Sequence, residues 1–209
     1  MSFHPLMPYG TERFHRSERA LLPLGEPFAF TAERAARLEE ICAKYPPERR
    51  KSAVLAALYL VQEQQSHITA SAVRHVAEFL RITPAEVEDV ASYYVMFFKA
   101  PVGKYVLQVC RTLSCALAGA ERVVEALSDK LGIELGGTDP SGMFTLLEFE
   151  CLGACDRAPI VMVNNEHWHE KATPESCAKL VDDLKARGVS ALSGCHLNVN
   201  DERRTTNDE

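Results

Sequence analysis

The chain has 209 residues, 46% of them hydrophobic, and a formal net charge of -6, which allows one or two domains with a real core. The acidic balance and the lack of a basic stripe exclude nucleic-acid binding, since phosphates demand a positive face. The longest uninterrupted apolar stretch, Ala53 to Val61, is about half of what a bilayer crossing needs and runs into Gln62-Glu63-Gln64-Gln65, so no transmembrane segment is expected.

Residues 1–30 carry Pro5, Pro8, Pro23 and Pro27 with little apolar periodicity and read as an extended N-terminal arm, lying on a partner or mobile. Glu12 and Glu18 interleave with Arg13, Arg16 and Arg19, which argues against a transit peptide, and no secretory segment is expected. From Thr31 the pattern turns helical. Leu38, Ile41, Cys42 and Tyr45 share a face until Pro46-Pro47 stops the helix, so Cys42 reads as core. Leu55, Leu58 and Val61 mark a second helix, and Val73, Val76, Phe79 and Leu80 a third. Thr83-Pro84-Ala85-Glu86 then supplies an N-cap hydroxyl, a proline at the first helical position and a glutamate at the third, ahead of the stripe Val87, Val90, Ala91 and Tyr94. Residues 31–98 thus read as a helical bundle.

Lys99-Ala100-Pro101-Val102-Gly103 breaks the periodicity and leads to a second unit, residues 99–188, that opens with a strand over 104–109. Cys110 ends that strand. Cys115 is expected just before a helix with the apolar face Val123, Val124, Leu127 and Leu131, close to the unpaired N–H groups of its first turn. A glycine-rich turn over 136–142 precedes a strand over 144–150. Cys151 and Cys155 then fall on a loop before the buried strand 160–163. Thr173-Pro174-Glu175 starts a last helix with Cys177, Leu180, Val181 and Leu184 on one face, which makes Cys177 a core residue. Residues 189–209 form a polar tail in which Cys195 is incidental. The expected class is α/β: an N-terminal helical bundle followed by a sandwich of thioredoxin-like order with its functional groups on loops beyond the sheet edge.

The chemistry concentrates in two pairs, Cys110-Arg-Thr-Leu-Ser-Cys115 and Cys151-Leu-Gly-Ala-Cys155. Four thiolates on two loops suit a [2Fe-2S] cluster, which takes four cysteine ligands, and small residues at Ala116, Gly119, Gly153 and Ala154 leave room for the loops to curl. A structural zinc site also takes four thiolates and stands open beside this reading. A disulfide framework fits poorly with seven cysteines in so long a chain, and a thioredoxin-type dithiol needs two intervening residues where these pairs have four and three. Two ferric ions, two sulfides and four thiolates sum to two negative charges, and reduction adds a third, so nearby cations and N–H donors tune the potential. Arg111 and Arg157 adjoin the cysteines and could do so, or face solvent or a partner; Asp156 reads as a turn former. Glu121 and His75 read as solvated, with no constellation for acid–base or nucleophilic work. The glycines at 132, 136, 137 and 142 lack dinucleotide spacing, so no dinucleotide site is expected on this chain.

On Tyr45-Pro46-Pro47-Glu48-Arg49-Arg50-Lys51-Ser52-Ala53, Leu58-Tyr59-Leu60-Val61-Gln62-Glu63, Pro101-Val102-Gly103-Lys104-Tyr105 and Glu150-Cys151-Leu152-Gly153-Ala154-Cys155-Asp156-Arg157-Ala158-Pro159, the chain resembles the small [2Fe-2S] subunit family of respiratory NADH:quinone oxidoreductase. The likeness covers roughly residues 31–188 and departs at Ser92-Tyr93-Tyr94-Val95-Met96-Phe97, where the family has a threonine-phenylalanine-tyrosine-threonine run. The resemblance implies a thioredoxin-like ferredoxin domain, one [2Fe-2S] cluster on Cys110, Cys115, Cys151 and Cys155, and docking to a subunit that carries FMN and NADH. It also implies a large iron-sulfur subunit as neighbour, and a cytoplasmic location peripheral to the inner membrane, with the mitochondrial matrix also compatible. The implied role is one-electron exchange with the partner's flavin, without catalysis by this chain alone. The equivalent diaphorase subunit of an NAD-linked hydrogenase or formate dehydrogenase would carry the same motifs, and a zinc-stapled interaction module is the reading from another class.

Overall fold

The computed structural model describes residues 22–192, which form two compact units divided between Val102 and Gly103. In the first, α1 (Ala32–Cys42) starts at Thr31, whose hydroxyl accepts from Arg34 N–H. Leu38 and Cys42 are buried as expected, but the helix stops at Cys42, and Tyr45, read as part of its apolar face, is exposed. The stop is not a clean break. Pro47 opens a 3-10 segment, Pro47–Ala53, that delivers the chain into α2 (Val54–Gln65), consistent with proline being tolerated in a first turn. α3 (Ala70–Leu80) and α4 (Pro84–Tyr93) follow. Leu38, Leu58, Val61, Val76, Leu80 and Val87 meet in one core.

Residues 22–31 are held against these helices. Ala70 and Ser71 N–H donate to Pro23 and Leu24 carbonyls, and Gln64 donates to Ala29 carbonyl while accepting from Thr31 N–H. Phe30 N–H donates to His75 Nε2 at 3.3 Å, and the His75 ring sits edge-on to Phe28 and Phe30. The reading of His75 as solvated is therefore corrected: its ring anchors this segment. The part of the arm before residue 22 lies outside the described residues.

The capping box at α4 is present in full, with Thr83 N–H and hydroxyl both donating to Glu86 Oε2 at 2.9 Å. Lys51 Nζ lies 2.6 Å from the other oxygen of Glu86, tying the 3-10 segment to α4. These donors, Lys51 first and then Thr83, hold the Glu86 carboxyl at about 2, below its ordinary value of 4.5. The unfolded chain binds the extra proton between those values, so this contribution is complete above about 4.5 and is lost as pH falls toward 2. Glu86→Gln should flatten the acid limb of a stability-versus-pH profile, read by urea unfolding at several pH values; an unaltered limb would refute the assignment.

In the second unit, β1 (Tyr105–Cys110) is buried at all six positions, as a near-continuous apolar run predicts for a central strand. It is followed by α5 (Leu113–Leu117), α6 (Ala120–Leu131), β2 (Phe144–Phe149), β3 (Val161–Val163), β4 (His167–His169) and α7 (Pro174–Arg187). The sheet order is β2-β1-β3-β4, with β2 parallel to β1 and the β1/β3 and β3/β4 pairs antiparallel. The sequence pattern does not announce β4. Its hairpin turn, Asn164-Asn165, has φ of 55° and 59°, the conformation asparagine tolerates in tight hairpins. Both side chains serve β1 as well. Asn164 Oδ1 accepts from Val106 N–H at 2.7 Å, and Asn165 pairs with the amide of Gln108, a fully buried polar side chain. Leu127 from α6 and Cys177, Val181 and Leu184 from α7 pack into the sheet core with Leu107, Phe144 and Leu146, so Cys177 is core as expected. Cys195 lies outside the described residues.

Candidate metal centre

β1 delivers Cys110 as its last residue, and the backbone there fixes two further loops. Cys110 N–H donates to Ile160 carbonyl at 3.0 Å, just ahead of β3, and Arg111 N–H donates to Phe149 carbonyl at 3.0 Å, the end of β2. The segment 150–160, which carries Cys151 and Cys155, is therefore pinned at both ends to the chain at Cys110. Cys115 lies inside the short helix α5. Cys115 precedes the long helix as expected, but a short helix intervenes: Gly119, at φ 95°, separates α5 from α6, so Cys115 is not in the first turn of α6.

The four thiols meet as two pairs of unlike surroundings. Cys110 and Cys115 are buried, whereas Cys151 and Cys155 are exposed with sulfurs 3.5 Å apart. Burial, with a hydrogen bond that the Cys115 thiol donates to the Cys110 sulfur, pushes Cys115 up to about 12, against the opposing donation of Ile160 N–H. In the exposed pair, Gly153 N–H first, then Cys155 and the Thr112 hydroxyl, hold the Cys151 thiol below its ordinary range. The hydrogen bond and charge of Cys151 raise Cys155, with Ser114 donating against that. One thiolate and one thiol sharing a proton is the behaviour of two acids in contact. Gly153 adopts φ 82°, open to glycine, and so aims its N–H at sulfur.

Among the described residues, no three His, Cys, Asp or Glu side chains are placed to hold a single metal ion. The donor set fits a two-iron cluster better, since that group takes thiolates in two pairs rather than at one point. Sequence reasoning singles out Arg111 and Arg157. The structure engages both with carboxylates, Arg111 with Glu150 at 2.9 Å and Arg157 with Asp156 and Glu170 at 3.2 and 2.8 Å. Sequence reasoning misses Thr112 and Ser114, whose hydroxyls reach the sulfurs; their place between the first two cysteines is the available signal.

A family model described as thioredoxin-like [2Fe-2S] ferredoxin matches residues 38–185. The chain belongs to that family. Within this ferredoxin family, it is 43% identical over 149 residues to NADH-quinone oxidoreductase subunit 2 of Thermus thermophilus, covering 71% of this chain and 82% of that protein. It is 37% identical over 159 residues to an NADH-quinone oxidoreductase subunit of Rickettsia bellii, covering 76% and 95%. Against the mitochondrial NADH dehydrogenase [ubiquinone] flavoprotein 2 of Dictyostelium discoideum the identity is 39% over 160 residues, and the chain spans 64% of that relative. A solved NAD+-reducing [NiFe]-hydrogenase, H2-reduced, contains a similar fold, with TM-score 0.56 and 21% identity over 65% of this chain and 22% of that one.

The contrast in burial gives a direct test of the ferredoxin site. In chelator-treated protein, peptide mapping after brief iodoacetamide exposure should find Cys151 and Cys155 modified well before Cys42, Cys110, Cys115 and Cys177. Equal labelling of Cys115 would contradict the burial described above.

Proposed function

We propose that this chain is the [2Fe-2S] electron-transfer subunit of an NADH:quinone oxidoreductase, with Cys110, Cys115, Cys151 and Cys155 as the cluster ligands. The observation that carries the reading is the convergence of these four thiols, in two pairs, at the end of one strand. A cluster held there supplies a one-electron centre. The chain's own part is to supply the thiolates, donate N–H and O–H groups to them from Gly153, Ile160, Thr112 and Ser114, and cover one pair from water.

The relatives at 37–43% identity bear NADH-quinone oxidoreductase names, which supports this enzyme over a hydrogenase diaphorase, since the hydrogenase likeness shows fold alone. With no dinucleotide fingerprint in the sequence, the flavin and NADH belong to a neighbouring subunit, and the large iron-sulfur subunit of the same complex is the second partner. Leu113 and Leu117, on the helix that carries Cys115, are 74% and 81% exposed; large apolar side chains beside an electron centre suit burial against that flavin subunit. No helix among the described residues is long and apolar enough to cross a membrane, so in this reading the chain reaches the membrane through the rest of the complex, on its cytoplasmic side.

Iron, sulfide and zinc analysis of anaerobically purified protein, with optical and electron paramagnetic resonance spectra before and after dithionite, tests the proposal. Two irons and two sulfides per chain, a visible absorption that bleaches and a one-spin signal on reduction are expected. Cys155→Ser should lose or alter that signal while Cys42→Ala keeps it. A colourless protein with stoichiometric zinc would overturn the electron-transfer role.

A further inference from the structure

Five threonines occupy helix N-cap positions among the described residues, and four of them, Thr31, Thr69, Thr83 and Thr173, accept a backbone N–H from the first turn, the usual work of such a hydroxyl. Thr112, the N-cap of α5, makes no such bond. Its Oγ1 lies instead 3.3 Å from Cys110 Sγ, and the same hydroxyl reaches Cys151. The residue thus touches a sulfur from each pair, one buried and one exposed.

A metal-holding cysteine is a thiolate, which accepts hydrogen bonds and cannot donate them, so in the loaded protein the Thr112 hydroxyl must be the donor. A donor to sulfur stabilises the state with more negative charge on the sulfurs, which is the reduced state. We propose that Thr112 is a positioning and potential-tuning residue. Released from capping, its single O–H donates to the thiolate of Cys110 or of Cys151, one from each pair, and makes the cluster easier to reduce by one electron, that electron coming from the partner's flavin. The proposal rests on the assignment of the four cysteines as ligands.

The test compares full-length wild type, Thr112→Val and Thr112→Ser, each analysed for iron and sulfide and then titrated with redox mediators while the paramagnetic signal is followed. All three should hold two irons per chain. Thr112→Val should lower the midpoint by about 59 mV, the equivalent of a tenfold change in a one-electron equilibrium. Thr112→Ser should restore it. If the valine protein fails to assemble, Thr112→Ala serves as the hydroxyl-free comparison. An unchanged midpoint without the hydroxyl, or a serine protein shifted as far as the valine one, would overturn the proposal. A lowered melting temperature with a constant midpoint would mark Thr112 as structural and overturn it too. Wild type without iron and sulfide would instead defeat the ligand assignment itself.

Discussion

Two backbone hydrogen bonds at the end of β1 organise everything around the cysteines. Cys110 N–H and Arg111 N–H point to opposite neighbours, Ile160 carbonyl before β3 and Phe149 carbonyl at the end of β2. Neighbouring residues of a strand pair to either side, so a central strand is the one place where a single dipeptide can fasten two others. The cost is that β1 must be buried on both faces. The sequence meets it with the run Tyr105 to Cys110, and the amide side chain inside it, Gln108, is satisfied by Asn165 from the β3–β4 turn. A hairpin distant from the cysteines thereby protects the strand that positions them.

The second constraint is charge. Four thiolates together repel one another, and the chain answers with donors rather than with cations aimed at sulfur. Gly153 and Ile160 offer N–H groups, Thr112 and Ser114 offer hydroxyls. The adjoining arginines are tied to carboxylates instead: Arg111 to Glu150 and Arg157 to Asp156 and Glu170. Donors from the loop backbone follow from loop conformation, as at Gly153 with its φ of 82°.

Much of this is legible in the residues. The capping signals at Thr83 and Thr173 mark two helix starts that the structure places at Pro84 and Pro174, because a cap is a local interaction readable over four residues. The buried strands show as apolar runs for the same reason. What fails is non-local or too short to be periodic. The helix α5 spans five residues, barely more than one turn, so no periodicity can separate it from α6, and the helix that carries Cys115 goes unread. The strand His167–His169 alternates over three residues only, and its signal is the Asn164-Asn165 turn before it. His75 depends on contacts with Phe28 and Phe30, more than forty positions away, which no local pattern reports. For the site, the pairing of cysteines is visible from spacing, whereas the hydroxyls at Thr112 and Ser114 look like any loop residues until the fold turns them toward sulfur.

The unequal burial of the two pairs then gives the site a direction. Cys110 and Cys115 sit in the core with Leu107, Leu127 and Ile160, while Cys151 and Cys155 face outward. Added negative charge is costly in an apolar surround and cheaper where water and several donors are at hand. Gly153 and Thr112 both donate toward Cys151, on the exposed side. If these four cysteines hold a cluster, that asymmetry would favour added charge toward the loop between β2 and β3. A buried inner pair and an outward pair rich in donors would then suit a one-electron relay, and both follow from the position of Cys110 at the end of a central strand.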